Sequence, residues 1–172
     1  MRLIAPEGFM SLATSEDALV EAQYNLRRSN PASNGADIAL VRERIVGSID
    51  ELVTSYQVPA EPITSDVFDN HIIAAARAWG ADYLVTDDKG FDAMSADVAL
   101  LDSFDFEVYK PDDFFMLVVE SAPQFVRAVA IQQHNYWTSR NGSKSVVSAL
   151  RDAACPKFAK TVETLFKELA GL

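Results

Sequence analysis

The stretch Asp66-Val-Phe-Asp69-Asn-His-Ile-Ile-Ala-Ala-Ala-Arg-Ala-Trp-Gly80-Ala-Asp-Tyr-Leu-Val-Thr86-Asp87-Asp88-Lys-Gly-Phe91 decides how this chain is read. It has the pattern of one helix, a glycine stop, one strand and an acidic turn. Ser65 is a helix-capping residue type, and Asp66 and Asp69 suit the positive end of the helix dipole. Ile72, Ile73, Ala76 and Trp79 recur at helical spacing. Gly80 can take the left-handed conformation that ends a helix. Tyr83 to Thr86 is short and β-prone, which predicts a strand buried on both faces. In open α/β sheets chemistry gathers beyond the carboxyl ends of strands. The unit therefore predicts carboxylates from two elements at one point, a donor set suited to a hard divalent cation. Alone, Asp66 or Asp87 reads as a cap or turn residue; the signal lies in Asp69, the Ala-rich helix, Leu84-Val-Thr86 and Asp88 together.

The flanking sequence extends the α/β pattern. Glu16 to Ser29 reads as a helix with Leu19, Ala22 and Leu26 inward, followed by a breaker-rich loop, Asn30-Pro-Ala-Ser-Asn-Gly35. Ala36 to Tyr56 reads as the longest helix, with a stripe through Ile38, Val41, Ile45, Ile49, Leu52 and Tyr56. Gln57 to Thr64 has room for a short edge strand. Phe91 to Asp105 reads as one short helix and a loop, and Phe106 to Tyr109 as the last strand. Helices are expected from Pro111 to Ser121, Pro123 to about Trp137, Ser145 to Ala154 and Lys157 to Leu169. The expected organisation is an α/β domain over 1–110 and a helical extension packed on it over 111–172.

The 172 residues are nearly half apolar, enough for a sizeable core. Cys155 is the single cysteine, so no intrachain disulfide forms, and its best reading is a small buried hydrophobe. The longest apolar run, Phe114 to Val119, is too short to span a bilayer, and no signal-peptide pattern opens the sequence; a cytoplasmic location and no membrane partner are expected. A formal net charge of −10 argues against broad, sequence-independent nucleic-acid binding. Arg27, Arg28, Arg42 and Arg44 form a small basic patch that could guide RNA, with Arg27 and Arg28 the candidates, although basic residues at helix ends and on solvated faces are more often ordinary. His71 and His134, the two histidines, have no partner at ligand spacing. Asn135-Tyr136-Trp137 could stack on bases, but packing is the commoner use of such a cluster. No glycine-rich phosphate loop or nucleophile elbow occurs.

Three ordered segments resemble the PIN-domain family, including its VapC-like ribonuclease toxins. Asp69, Ile72-Ile-Ala-Ala-Ala76, Leu84-Val-Thr86, Asp88 and Phe91 match the family's Asp-led helix and Leu-Val-Thr-x-Asp strand end. Met10-Ser-Leu-Ala-Thr14-Ser15 and the helix carrying Glu21 are similar to its short strand, cap and acidic helix. Phe106 to Phe115 resembles its last strand and Pro-Asp-Asp-Phe helix start. The resemblance spans roughly residues 10–115 and implies a three-layer αβα fold with a mostly parallel sheet.

The resemblance further implies that Glu21, Asp69 and Asp88 bind one or two Mg²⁺ or Mn²⁺ ions and hydrolyse RNA phosphodiesters, with Thr86 positioning the turn and Asp66 and Asp87 in support. It implies an RNA substrate and, on an acidic surface, a basic antitoxin protein; a homodimer is a further possible partner. The family's first strand, which ends in an Asp ligand, has no counterpart here: the sequence opens Met1-Arg-Leu-Ile-Ala-Pro-Glu-Gly-Phe, and no Asp precedes Asp17. A start upstream of Met1, an inactive remnant, and a gap closed by direct strand pairing or by another chain all stay open. A catalytically impaired PIN-like fold serving as a protein-interaction module is therefore the alternative function. A receiver-like domain, suggested by Thr86, Asp87 and Asp88, lacks the acidic pair and lysine that such a site needs.

Overall fold

The computed structural model of the chain describes residues 9–61, 63, 69–94, 97–139 and 145–171. It divides into two compact units, residues 1–84 with 88–107, and residues 85–87 with 108–172. The chain is mixed α/β, as the sequence predicts.

In the first unit, β1 (Ala13–Ser15) leads directly into α1 (Glu16–Ser29). The Ser15 hydroxyl accepts the Ala18 N–H, satisfying one of the orphan donors of the first turn, and Glu16 and Asp17 sit on the positive end of the dipole. Leu19 is buried and Leu26 half-buried, but Ala22 is exposed, so the inward face is narrower than expected. Asn34 caps α2 (Gly35–Val46) by accepting the Asp37 N–H. Arg42 holds the two helices together through both oxygens of Glu16 at 2.9 and 3.1 Å.

The helix expected over 36–56 ends ten residues early. Gly47 closes α2, and Glu51–Val53 form β2, which pairs with β1 in parallel, Ala13 opposite Glu51 and Ser15 opposite Val53. The half-buried Ile38, Val41 and Ile45 belong to α2, whereas Leu52 belongs to a strand. Helical spacing across 36–56 is thus two patterns placed end to end. Pairing with β1, reinforced by the Asp50 carboxylate accepting the Leu12 N–H at 2.9 Å, wins over local periodicity. No strand occurs among the described residues of 57–64.

Helix α3 (Asn70–Trp79) buries Ile73 and Ala74 to Ala76, and Gly80 ends it in the left-handed region at φ 71°. Asp69 is its cap residue; Ser65 and Asp66, expected at the helix start, lie outside the described residues. The buried Asn70 amide accepts the Ile63 N–H and donates to the Glu61 carbonyl, tying the preceding segment to the start of α3. Residues 91–105 contain two short helices rather than one: α4 (Lys89–Met94) is followed by α5 (Val98–Leu101). Phe104 stacks on Phe106 at 5.1 Å, and the Arg77 guanidinium lies over the Phe104 ring.

Strands β3 (Tyr83–Val85) and β4 (Glu107–Tyr109) form a second two-stranded sheet. The Glu107 N–H donates to the Asp82 carbonyl and the Thr86 N–H to the Tyr109 carbonyl, the pattern of a parallel ladder. β3 is not buried on both faces: Tyr83 and Val85 are exposed and Leu84 half-buried. A three-residue strand with one neighbour among the described residues is not covered as the interior strand of a wide sheet is.

The second unit carries α6 (Pro111–Ser121), α7 (Pro123–Thr138), α8 (Val146–Asp152) and α9 (Pro156–Leu169). Ala130, Val146 and Val162 form its buried centre, with Trp137, Leu150 and Phe166 packed against it. Trp137 is thus a packing residue, and His134 lies 4.9 Å from the Phe166 ring. Asp112, buried in the first turn of α6, accepts the Lys157 and Phe158 N–H groups and so caps α9 from another helix. No single described helix is long and apolar enough to cross a membrane; α6 and α7 reach that length only jointly, across a 118° bend.

Cys155 is buried, as expected, and its thiol donates to the Ala153 carbonyl. Burial, then the charges of Asp112 and Asp87, push the thiol above its ordinary range. The folded chain therefore keeps this proton longer than the unfolded chain, and stability falls as pH rises through the ordinary thiol range. Iodoacetamide at pH 8 is expected to label the native protein at least tenfold more slowly than the urea-unfolded protein, as followed by mass spectrometry. Equal rates in the two states would contradict an inert Cys155.

Candidate active site

Two carboxylates from different elements converge at one glycine. Asp69, 5% exposed at the start of α3, and Asp88, which follows β3, approach each other across Gly90. A Cβ at Gly90 would lie 2.0 Å from Asp69 Oδ2 and 3.2 Å from Asp88 Oδ1. Each part has a local cause. The Asp88 Oδ1 accepts the Gly90 N–H at 2.7 Å, an Asx turn that folds the carboxylate back over the start of α4. Asp69 is carried by α3, whose opposite end is set by Gly80. Position 90 must lack a side chain for Asp69 to reach this point.

Such an arrangement suits a cation. Two like charges brought together, one of them largely removed from water, repel each other unless a positive charge lies between them. Mg²⁺ is commonly held by one or two carboxylates with waters filling the remaining positions. Among the described residues no group of three or more His, Cys, Asp and Glu side chains is placed to hold a metal ion. Asp69 and Asp88 therefore fit a divalent ion as a two-carboxylate site.

The other expected site residues are placed as follows. Glu21 is exposed on α1. Thr86 and Asp87 belong to the second unit: Thr86 is half-buried with its N–H used by β4, and the charge of Asp87 reaches Cys155. Asp66 lies outside the described residues. Arg27 donates to the Ser33 carbonyl, which ties down the α1–α2 loop, while Arg28 is exposed. Of the basic cluster, Arg27 and Arg42 are thus engaged within the protein. His71 is half-buried on α3, and its Nε2 has no hydrogen-bond partner among the described residues. Gly90 is a site residue that the sequence pattern alone does not single out. Its signal was present as Asp88-Lys-Gly90, the Asx-turn spacing, but that it faces Asp69 depends on residues 21 positions apart.

A family model described as the PIN domain matches residues 3–90, just over half of the chain. The chain belongs to the PIN-domain family. This PIN domain has a nuclease-like fold, and PIN domains generally depend on divalent metals and commonly bind RNA. No curated protein and no solved structure matches the chain. The match begins at residue 3, and the stretch where the family's first strand is expected to be missing, residues 1–8, lies outside those described.

Proposed function

We propose that this PIN domain is a Mg²⁺- or Mn²⁺-dependent endoribonuclease of the VapC-like toxin type, neutralised by a basic antitoxin protein. The observation that carries the reading is the meeting of Asp69 and Asp88 across Gly90. Asp69 and Asp88 would hold the ion, and Glu21 is the third carboxylate of the proposal. When bound, the ion supplies a water of lowered pKa and offsets charge on the scissile phosphodiester. Burial of Asp69 keeps its carboxylate from being screened by bulk water. The Gly90 N–H holds Asp88 at a fixed angle, so the pair is set before substrate arrives. Arg28 is the residue of the pair Arg27 and Arg28 left exposed to attract a phosphate backbone.

The exposure of Glu21 orders the expected effects. In cleavage of a mixed single-stranded RNA pool with Mn²⁺, Asp69→Asn is expected to lose at least a hundredfold in rate, and Glu21→Gln to lose less. EDTA is expected to abolish cleavage. Cleavage that persists in EDTA or in Asp69→Asn would remove the proposed site. The second reading is a catalytically impaired PIN fold that binds a protein partner. A pure chain that binds Mn²⁺ but leaves all RNA intact would support it.

A further inference from the structure

We propose that a groove in the second unit, bounded by α6, α7 and α9, binds a small amphipathic carboxylate. The groove has a volume of about 370 Å³. Its apolar surface comes from Val119 on α6, Pro123 and Val126 on α7, and Leu165 on α9. Arg127 and Lys160 line it, together with Thr161 and Thr164, and Glu168 is the one carboxylate on its wall. Ligand sites combine this size and apolar lining with a few polar groups that fix orientation.

The charge arrangement makes the groove specific. Around it, cations are spent on carboxylates: Lys157 pairs with Asp113, and Arg151 and Lys167 both pair with Glu163. Lys110 is engaged as well. Among the described residues of this unit, Arg127 and Lys160 pair with no carboxylate, and both line the groove. In a chain of net charge −10, with acidic residues in excess, two uncommitted cations on one apolar depression are the complement of an anion attached to a hydrocarbon body. Thr161 and Thr164 donate their hydroxyl protons to the Lys157 and Lys160 carbonyls of α9, so recognition of the anion falls to the two cations.

The walls are already fixed in place. The Asp112 carboxylate caps α9, and Phe115 stacks on Phe158 at 4.7 Å, which locks α6 against α9. A ligand would therefore pay little to order the site. Its carboxylate lies with Arg127 and Lys160, and its hydrocarbon part covers Val126 and Leu165.

The test is a titration of the full chain followed by ¹H–¹⁵N NMR, with octanoate as the probe. Octan-1-ol tests the chain without the charge, and acetate the charge without the chain. Octanoate is expected to shift amides of α7 and α9 around Val126 and Leu165 and to saturate, with both controls at least tenfold weaker. Arg127→Ala/Lys160→Ala is expected to weaken octanoate at least tenfold while leaving octan-1-ol unchanged. Octan-1-ol binding as tightly as octanoate, or no saturable shift at these residues, would overturn the proposal. Both outcomes are read on the unsubstituted protein and do not depend on a variant folding. Nuclease activity is not involved, so the result is independent of the ribonuclease reading.

Discussion

Gly90→Ala is expected to destabilise the protein by about 1–3 kcal/mol, the usual cost of forcing a methyl group into filled space. It is also expected to weaken Mn²⁺ binding at least tenfold. The new Cβ would fall 2.0 Å from Asp69 Oδ2, closer than non-bonded atoms approach, so the carboxylate or the α4 turn must move. Asp69 has little room to retreat, being 5% exposed. Asp88 Oδ1, at 3.2 Å from the same point and held by the Gly90 N–H, would be displaced with it. A double-mutant cycle separates this contact from a general intolerance of alanine in the turn. In an Asp69→Ala background the methyl group meets no carboxylate from α3, and most of the stability cost should vanish, leaving a coupling of about 1 kcal/mol or more. Urea unfolding of the four proteins measures it. An equal cost in both backgrounds would show that Gly90 and Asp69 do not share this space.

Asp112→Ala is expected to cost about 2–4 kcal/mol. The substitution removes two charge-assisted hydrogen bonds, at 3.0 Å from Lys157 and 2.9 Å from Phe158, and leaves two first-turn N–H groups without acceptors. It also removes a negative charge from the positive end of α9. Because the cap comes from α6, its loss loosens a helix-to-helix connection as well as a helix end. Asp112→Asn keeps one acceptor oxygen but turns an NH₂ group toward the other N–H, so an intermediate loss is expected. Chemical unfolding monitored by the circular dichroism of the helical unit gives both values. An Asp112→Ala protein within about 0.5 kcal/mol of the parent would falsify the capping role.

Local features were legible because their causes are local. Ser15 as a cap, Gly80 as a stop and Pro111 at the start of a helix act within a turn of their own position. The Asp69 and Asp88 pairing was also legible, since a helix, a tight connection and a short parallel strand bring the helix start and the residues beyond the strand together. The errors lie where periodicity had to stand in for pairing. Residues 36–56 keep an apolar spacing that a helix could use, yet 51–53 are drawn into a strand by β1, nearly forty residues earlier. Tyr83 and Val85 have the composition of a buried strand, but their exposure depends on how many neighbours β3 has.

The sequence alone determined the α/β class, the order of most elements and the carboxylates that gather beyond β3, because these follow from side-chain spacing, capping and backbone preferences over a few residues. The tertiary structure alone decided that Gly90 makes room for Asp69 and that Asp112 caps a helix 45 residues away. Each of these is a distance between residues far apart in the chain, and such distances are set by packing and charge pairing that no local pattern encodes.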